Sequence, residues 1–320
     1  MFVVLETAQK VAAESLQVQI EEQALVRFSK SLVEKKIQLP PWESLYHFYD
    51  GGEKTVSYLL VLDTLNFCFW PATEEMKWEI EYKSRKLSGY YALAVSLKQA
   101  LESETPIDRA EFLAQLSLNG LKDILGGRGE LQLLNQRVQN LNELGRALLD
   151  EYHGKAYELV EAAGESAIAL VRMLYRRLSS FRDVAKYQGH QVPFYKRAQI
   201  FAADLCGAFQ GRKWGRFVDM DRLTAFADYK LPQVLRHLSI LSYAPELANK
   251  IDQRILIEAG SPEEVEIRAN TIWAVELIRQ ELEKMGKGLK AVEIDWILWN
   301  MGQDETFKEK PYHRTVTMFY

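Results

Sequence analysis

The chain is poor in the residues that build covalent or metal-held scaffolds. Only two cysteines occur among its 320 residues, Cys68 and Cys206. Both lie in apolar surroundings, so they read as reduced core residues of a cytosolic protein, which excludes a disulfide framework and makes the cytoplasm the expected location. The five histidines, His47, His153, His190, His237 and His313, are scattered without metal-ligand spacing, and no metal or cofactor is expected. Net charge is also small, −4 with a pI near 5.9. No strongly basic face is evident, which argues against a stable nucleic-acid complex held by many phosphate contacts. Long apolar runs are missing too. The most apolar stretch, residues 58–70, is broken by Asp63 and Asn66 and is too short to span a bilayer. Glu6 and Lys10 interrupt the first apolar run, so no secretory signal is expected. There is no fixed-period repeat and no low-complexity segment.

What is present is a chain 48% hydrophobic and long enough for a large core. Residues 4–35 carry Val11, Leu16, Ile20, Leu25 and Phe28 at helical spacing, up to the turn at Leu39-Pro40-Pro41-Trp42. Residues 56–70 are rich in strand formers. Residues 77–87 alternate apolar and polar, and the two together predict a small antiparallel sheet in the N-terminal half. From Tyr90 onward the pattern is helical, with Gly126-Gly127-Arg128-Gly129 as a loop. Ser261-Pro262-Glu263-Glu264 reads as a capped helix start. The class is mostly α. One compact catalytic domain over 1–320 is expected, with room for two lobes, 1–125 (helices and the small sheet) and 130–320 (helices).

The segment Phe226-Ala227-Asp228-Tyr229-Lys230-Leu231-Pro232-Gln233 sets one carboxylate between two aromatic rings ahead of a helix whose apolar face is Leu231, Val234, Leu235, Leu238 and Leu241. Pro232 fits only the first turn, so Asp228 falls at the helix N-terminus, where free N–H groups keep it ionised. Capping is the ordinary role of such an aspartate. An anion fixed beside aromatic surfaces also suits the breaking of an N-glycosidic bond, and the two roles are compatible.

Leu62-Asp63-Thr64-Leu65-Asn66-Phe67-Cys68-Phe69-Trp70 resembles the hallmark segment of the queuosine salvage proteins, the queuosine 5′-phosphate N-glycosylases. Further similar blocks are Ser88-Gly89-Tyr90, Phe181-Arg182-Asp183, residues 194–199, residues 226–233, residues 265–268, residues 295–299 and residues 311–314, so the likeness runs nearly end to end and in order. It implies a helical bundle similar to the helix-hairpin-helix DNA glycosylases. In that likeness residues 192–205 are a hairpin leading into a helix, and residues 228–241 are the catalytic aspartate and its helix. The implied activity is hydrolysis of queuosine 5′-monophosphate to queuine and ribose 5-phosphate, salvaging queuine for tRNA modification.

The resemblance implies Asp228 as nucleophile or transition-state stabiliser, Phe226 as a base contact, His47 as an N-terminal ligand contact, and Asp295, Trp296 and Asn300 as a C-terminal ligand cluster. Trp296 and Asn300 stand where animal relatives are expected to carry Tyr and Asp. The first keeps a flat stacking surface, and the second replaces an acceptor-only carboxylate with an amide that also donates.

Each residue has an ordinary alternative. Tyr229 is either a stacking surface or core. Asp295, in an apolar helix, needs a partner, whether a guanine-like edge or a basic side chain. Lys196 and Arg197, at a helix start after Pro193, are either a phosphate site or a solvated charge pair. Adjacent helical residues point about 100° apart, so one of the two is expected to reach a ligand. Asp63 and Asn66 read as structural hydrogen-bonding residues that bridge the small sheet to the helical lobe. Asp219 and Asp221 are the other acids near the catalytic segment. The competing functions are a DNA base-excision glycosylase, which needs base flipping and a basic face, and a carrier that binds a modified base without turnover.

Overall fold

The computed structural model describes residues 3–35, 38–42, 45–73 and 76–320. In chain order the elements are α1 (Val3–Glu14), β1 (Val18–Ile20), α2 (Glu22–Glu34), α3 (Glu53–Leu65), β2 (Glu79–Tyr82), β3 (Arg85–Ser88), α4 (Gly89–Glu102), α5 (Ala110–Ala114), α6 (Leu118–Leu125) and α7 (Leu134–Glu151). They continue with α8 (Ala156–Ala162), α9 (Ala167–Arg177), β4 (Val184–Tyr187), β5 (His190–Pro193), α10 (Lys196–Ala208), α11 (Lys230–His237), β6 (Leu241–Tyr243), α12 (Pro245–Asp252), α13 (Pro262–Lys284) and α14 (Ala291–Met301). The mostly α class is what the sequence predicts.

Residues 56–70 are not a strand. They lie mainly in α3, and the physical reason is burial on every side. Thr55, Val56 and all residues from Tyr58 to Leu65 are buried, so the helix has no polar face and its sequence shows no helical period. Its start is fixed by Asp50, whose carboxylate accepts from the N–H groups of Gly52 (2.8 Å) and Thr55 (3.2 Å) and from the Thr55 hydroxyl (2.7 Å). Among the described residues the strands form three separate antiparallel pairs instead of one N-terminal sheet. Two are tight hairpins, β2–β3 and β4–β5, whose two-residue turns Lys83-Ser84 and Gln188-Gly189 all have positive φ, as the hairpin twist requires. The third, β1–β6, ties residues 18–20 to 241–243 across the chain.

Among the described residues the apolar core falls into two large clusters and a small third one of Phe67, Cys68 and Trp70. The first large cluster is built around α3, α4, α7, α9 and α10, the second around α2, α11, α13 and α14. Helix α13 packs against α1, α2, α11 and α14. The Ser261 hydroxyl caps it, accepting from the Glu264 N–H (3.3 Å), while the Glu264 carboxylate reaches back to the Gly260 N–H (3.0 Å). Glu266 on α13 collects the N–H groups of Leu16, Gln17 and Val18 (2.6–3.2 Å) and the Tyr187 hydroxyl (2.8 Å), locking the N-terminal segment down. The hallmark segment after α3 is clamped by buried Arg137, which donates to the carbonyls of Leu65, Phe67, Cys68 and Gln132 and lies 4.1 Å over the Phe67 ring.

Candidate active site

A cavity of about 940 Å³ opens where the hallmark segment, α10, the 226–230 segment and α14 converge. Asp228 lines it. The Asp228 Oδ1 accepts from the backbone N–H groups of Lys230 (2.7 Å) and Leu231 (2.9 Å), which are orphan donors of the first turn of α11. Asp228 is thus both a cap and a cavity carboxylate, held by two donors that cannot move without unwinding the helix.

The segment around it is fixed from both sides. The Phe226 N–H donates to Asp295 Oδ1 (2.7 Å), and the Ala227 carbonyl accepts from Arg268 Nε (3.0 Å). Arg268 is buried and forks onto Asp183 (2.7 and 2.9 Å), while lying 3.9 Å over the Phe194 ring and 4.3 Å over the Tyr320 ring. Asp183 also accepts from the Lys196 backbone N–H (3.2 Å) at the start of α10. One buried ion pair therefore ties α13, α10 and the Asp228 segment together.

Asp295 and Trp296 come from α14 and line the cavity with Phe226 and Tyr229. Burial pushes the Asp295 carboxyl well above the usual range. The Phe226 N–H offsets this in part, and the neighbouring Asp228 charge adds to it. No basic side chain pairs with it among the described residues, and its second oxygen makes no hydrogen bond there. Trp296 stacks on Trp299 (5.6 Å, 2° between planes) and donates its indole N–H to the Pro40 carbonyl (2.9 Å). Tyr229 lies 4.9 Å from Tyr312.

The lysine–arginine pair at the head of α10 divides. The Lys196 side chain is buried, lines the cavity and donates to the Asn66 carbonyl (3.3 Å). Burial lowers its pKa to about 8, opposed first by the charge of Asp228. Arg197 is turned away and does not line the cavity: its guanidinium donates to the carbonyls of Asp63, Thr64 and Ser180. Neither a solvated pair nor a paired anion site results. His47 is buried behind the wall, stacked on Trp42 (4.7 Å) and 2.9 Å from the Tyr90 hydroxyl through Nε2. Asn300 donates to the Trp296 carbonyl one turn back (2.7 Å), and it too lies off the lining. The expected bridge from Asp63 and Asn66 to a small sheet is not formed: this stretch is the end of α3, and both Asp63 carboxyl oxygens are buried without a hydrogen-bond partner among the described residues. Asp219 is occupied capping α9, accepting from the Ser166 hydroxyl and the Ala167 N–H (2.6 Å each).

Sequence reasoning assigned no site role to Asp204, Tyr90, Trp299 or Arg314, all of which line the cavity. Asp204 had a legible signal. It follows Lys196 by eight residues on the α10 face that carries Ile200, Ala203 and Gly207, a polar residue in an apolar stripe.

A family model for the queuosine salvage protein matches residues 46–320. A protein of Sphaerobacter thermophilus named queuosine 5′-phosphate N-glycosylase/hydrolase is 46% identical over 317 residues, covering 99% of this chain and 97% of its own. Proteins of the same name from Dictyostelium discoideum and Mus musculus are 37% and 34% identical over 330 residues each, covering 99% and 98% of this chain and 98% of their own.

Proposed function

The chain belongs to the queuosine salvage protein family, and from that membership we propose that it hydrolyses the N-glycosidic bond of queuosine 5′-monophosphate, releasing queuine and ribose 5-phosphate. The observation that carries the reading is Asp228, a carboxylate aimed into an aromatic-lined cavity and immobilised by two helix N–H donors. As the C1′–N9 bond breaks, its electron pair leaves with the base and positive charge grows on the ribose. Asp228 stabilises that charge or captures C1′ covalently, and a water oxygen then bonds to C1′ while its proton ends on the base. Carbon replaces N7 in a 7-deazaguanine, so the leaving group cannot be activated by protonation there, and cation stabilisation carries more of the barrier.

The free oxygen of Asp295 suits a guanine-like N1–H and exocyclic amine, and Phe226, Tyr229 and Trp296 offer flat surfaces worth roughly 1–3 kcal/mol per stacked base. The buried cations of the wall, Lys196 and Arg314, suit the 5′-phosphate. His47 and Asn300 act from behind, His47 through Tyr90 and Asn300 by holding the last turn of α14. The order hairpin β4–β5, helix α10, then a carboxylate ahead of α11 supports the likeness to helix-hairpin-helix DNA glycosylases. The hydrolase is read as one catalytic unit over 1–320, acting in the cytoplasm without a metal or a stable nucleic-acid complex. No helix among the described residues is long and apolar enough to cross a membrane. Incubation with queuosine 5′-monophosphate, followed by mass spectrometry, tests the reading. Stoichiometric queuine and ribose 5-phosphate are expected. Binding without turnover would establish the carrier instead, and abasic sites formed on damaged duplex DNA would establish the base-excision enzyme.

A further inference from the structure

Resting on the reading of the substrate as a queuosine nucleotide, we propose that Asp204 recognises the secondary ammonium that joins the 7-deazaguanine to its cyclopentenediol, and so determines specificity for the queuine base. Asp204 lies on α10 eight residues beyond Lys196, about 12 Å along the helix at ~1.5 Å per residue. It lines the same cavity as Asp228, beside Tyr90 and Trp42. Its Oδ2 is buried and has no hydrogen-bond partner among the described residues. A buried carboxylate oxygen in that condition is costly unless a ligand completes it.

The surroundings name the ligand's chemistry. The cavity wall carries the rings of Tyr90, Trp299 (5.7 Å from Tyr90) and Trp296 (5.6 Å from Trp299), and Trp42 joins them through His47 behind the wall (4.7 Å to Trp42, 5.6 Å to Tyr90). Trp42 reaches α10 because position 207 is glycine: a Cβ there would stand 3.0 Å from the indole. A carboxylate set in aromatic faces selects an organic ammonium, which gains ion pairing and cation–π attraction at once. Charge balance agrees. Asp228 and Asp295 are buried in the wall and Asp204 is half-buried there, against the buried cations Lys196 and Arg314 and the half-buried Lys230 beside Asp228. A 5′-phosphate occupies the cations and leaves the carboxylates short of positive charge. Asp228 is matched by the ribosyl cation and Asp295 by the base edge, so Asp204 is the acid left for the amine. The amine hangs a few bonds from the glycosidic nitrogen, and Asp204 and Asp228 line one cavity.

The groups facing Asp204 are Asp63 from α3, Tyr90 from α4, Trp42 from the preceding loop and Lys196 from its own helix. Burial raises its carboxyl to about 7, opposed by Tyr90, Lys196 and Trp42. An ammonium ligand would draw the proton off.

The test measures dissociation constants of two free bases, 7-aminomethyl-7-deazaguanine and 7-cyano-7-deazaguanine, on the full-length protein. The first carries an ammonium without the diol, and the second is uncharged at that position. The wild type should prefer the aminomethyl base by about 10- to 100-fold, the range of a charged hydrogen bond. Asp204→Asn should bring the two within about threefold. A second arm uses only the wild type: the preference should weaken as pH falls from 7.5 to 5.5, because Asp204 takes up a proton while the amine keeps its own. No preference in the wild type, a preference that persists in Asp204→Asn, an equal loss for both bases, or a preference independent of pH would each overturn the proposal. If instead the wild type binds both bases as described but does not hydrolyse queuosine 5′-monophosphate, the hydrolase reading fails while the ammonium site stands.

Discussion

Replacing Asp228 by Asn separates catalysis from capping at one atom. The amide oxygen of Asn can still accept from the Lys230 and Leu231 N–H groups, which now hold Oδ1 at 2.7 and 2.9 Å. Asn and Asp are near-equal caps, so the helix should keep its start and Tm should stay within about 3 °C. What is lost is the negative charge. A unit charge about 4 Å from a developing cation is worth about 4 kcal/mol at an effective dielectric near 20. The transition-state charge is partial and the amide dipole recovers some of it, leaving about 3–4 kcal/mol, or a 100- to 1,000-fold fall in kcat. Single-turnover release of queuine from queuosine 5′-monophosphate measures it directly. Asp228→Ala should lose the same activity and about 1 kcal/mol of stability besides, since it removes the cap as well. An Asn variant that keeps activity within tenfold of wild type would refute the electrostatic role, and the aspartate would then be a cap alone.

Two further outcomes are expected. Lys196, lowered by burial to about 8, loses its proton as pH rises through that value, so the cation beside Asp228 is present below pH 8 and lost above it. Wild-type kcat/KM should therefore decline above about pH 8, while Lys196→Met should be about tenfold or more slower at pH 7 and lack that decline. Arg268→Met leaves Asp183 buried and unpaired and frees the Ala227 carbonyl. It should cost about 3–5 kcal/mol by chemical denaturation, and an unchanged midpoint would show that the pair does not hold the fold.

The parts of the molecule legible in the sequence are those governed by a few neighbouring residues. Asp228 before Pro232 announces a cap because its acceptor and donors lie within three positions. Ser261 announces α13 for the same reason, and Gln188-Gly189 a hairpin turn by its backbone demands. Helix α3 escaped because periodicity reports amphipathicity, and a helix buried all round has none. The division of Lys196 from Arg197 followed only in part. Their angular separation says that one faces the cavity, but which one depends on where the carbonyls of α3 lie.

By itself, then, the sequence determined the helical class, the family likeness and the position of the capping carboxylate, all properties of composition or of short stretches of backbone. Only the tertiary structure decided which charges meet. Asp204, Asp228, Asp295 and Lys196 come from three separate helical segments, and the ionisation of Asp204, Asp295 and Lys196 depends on mutual distance and burial. Those quantities exist only after α10, α11 and α14 have packed, with Arg268 and Asp183 fixing α10 and the Asp228 segment against α13.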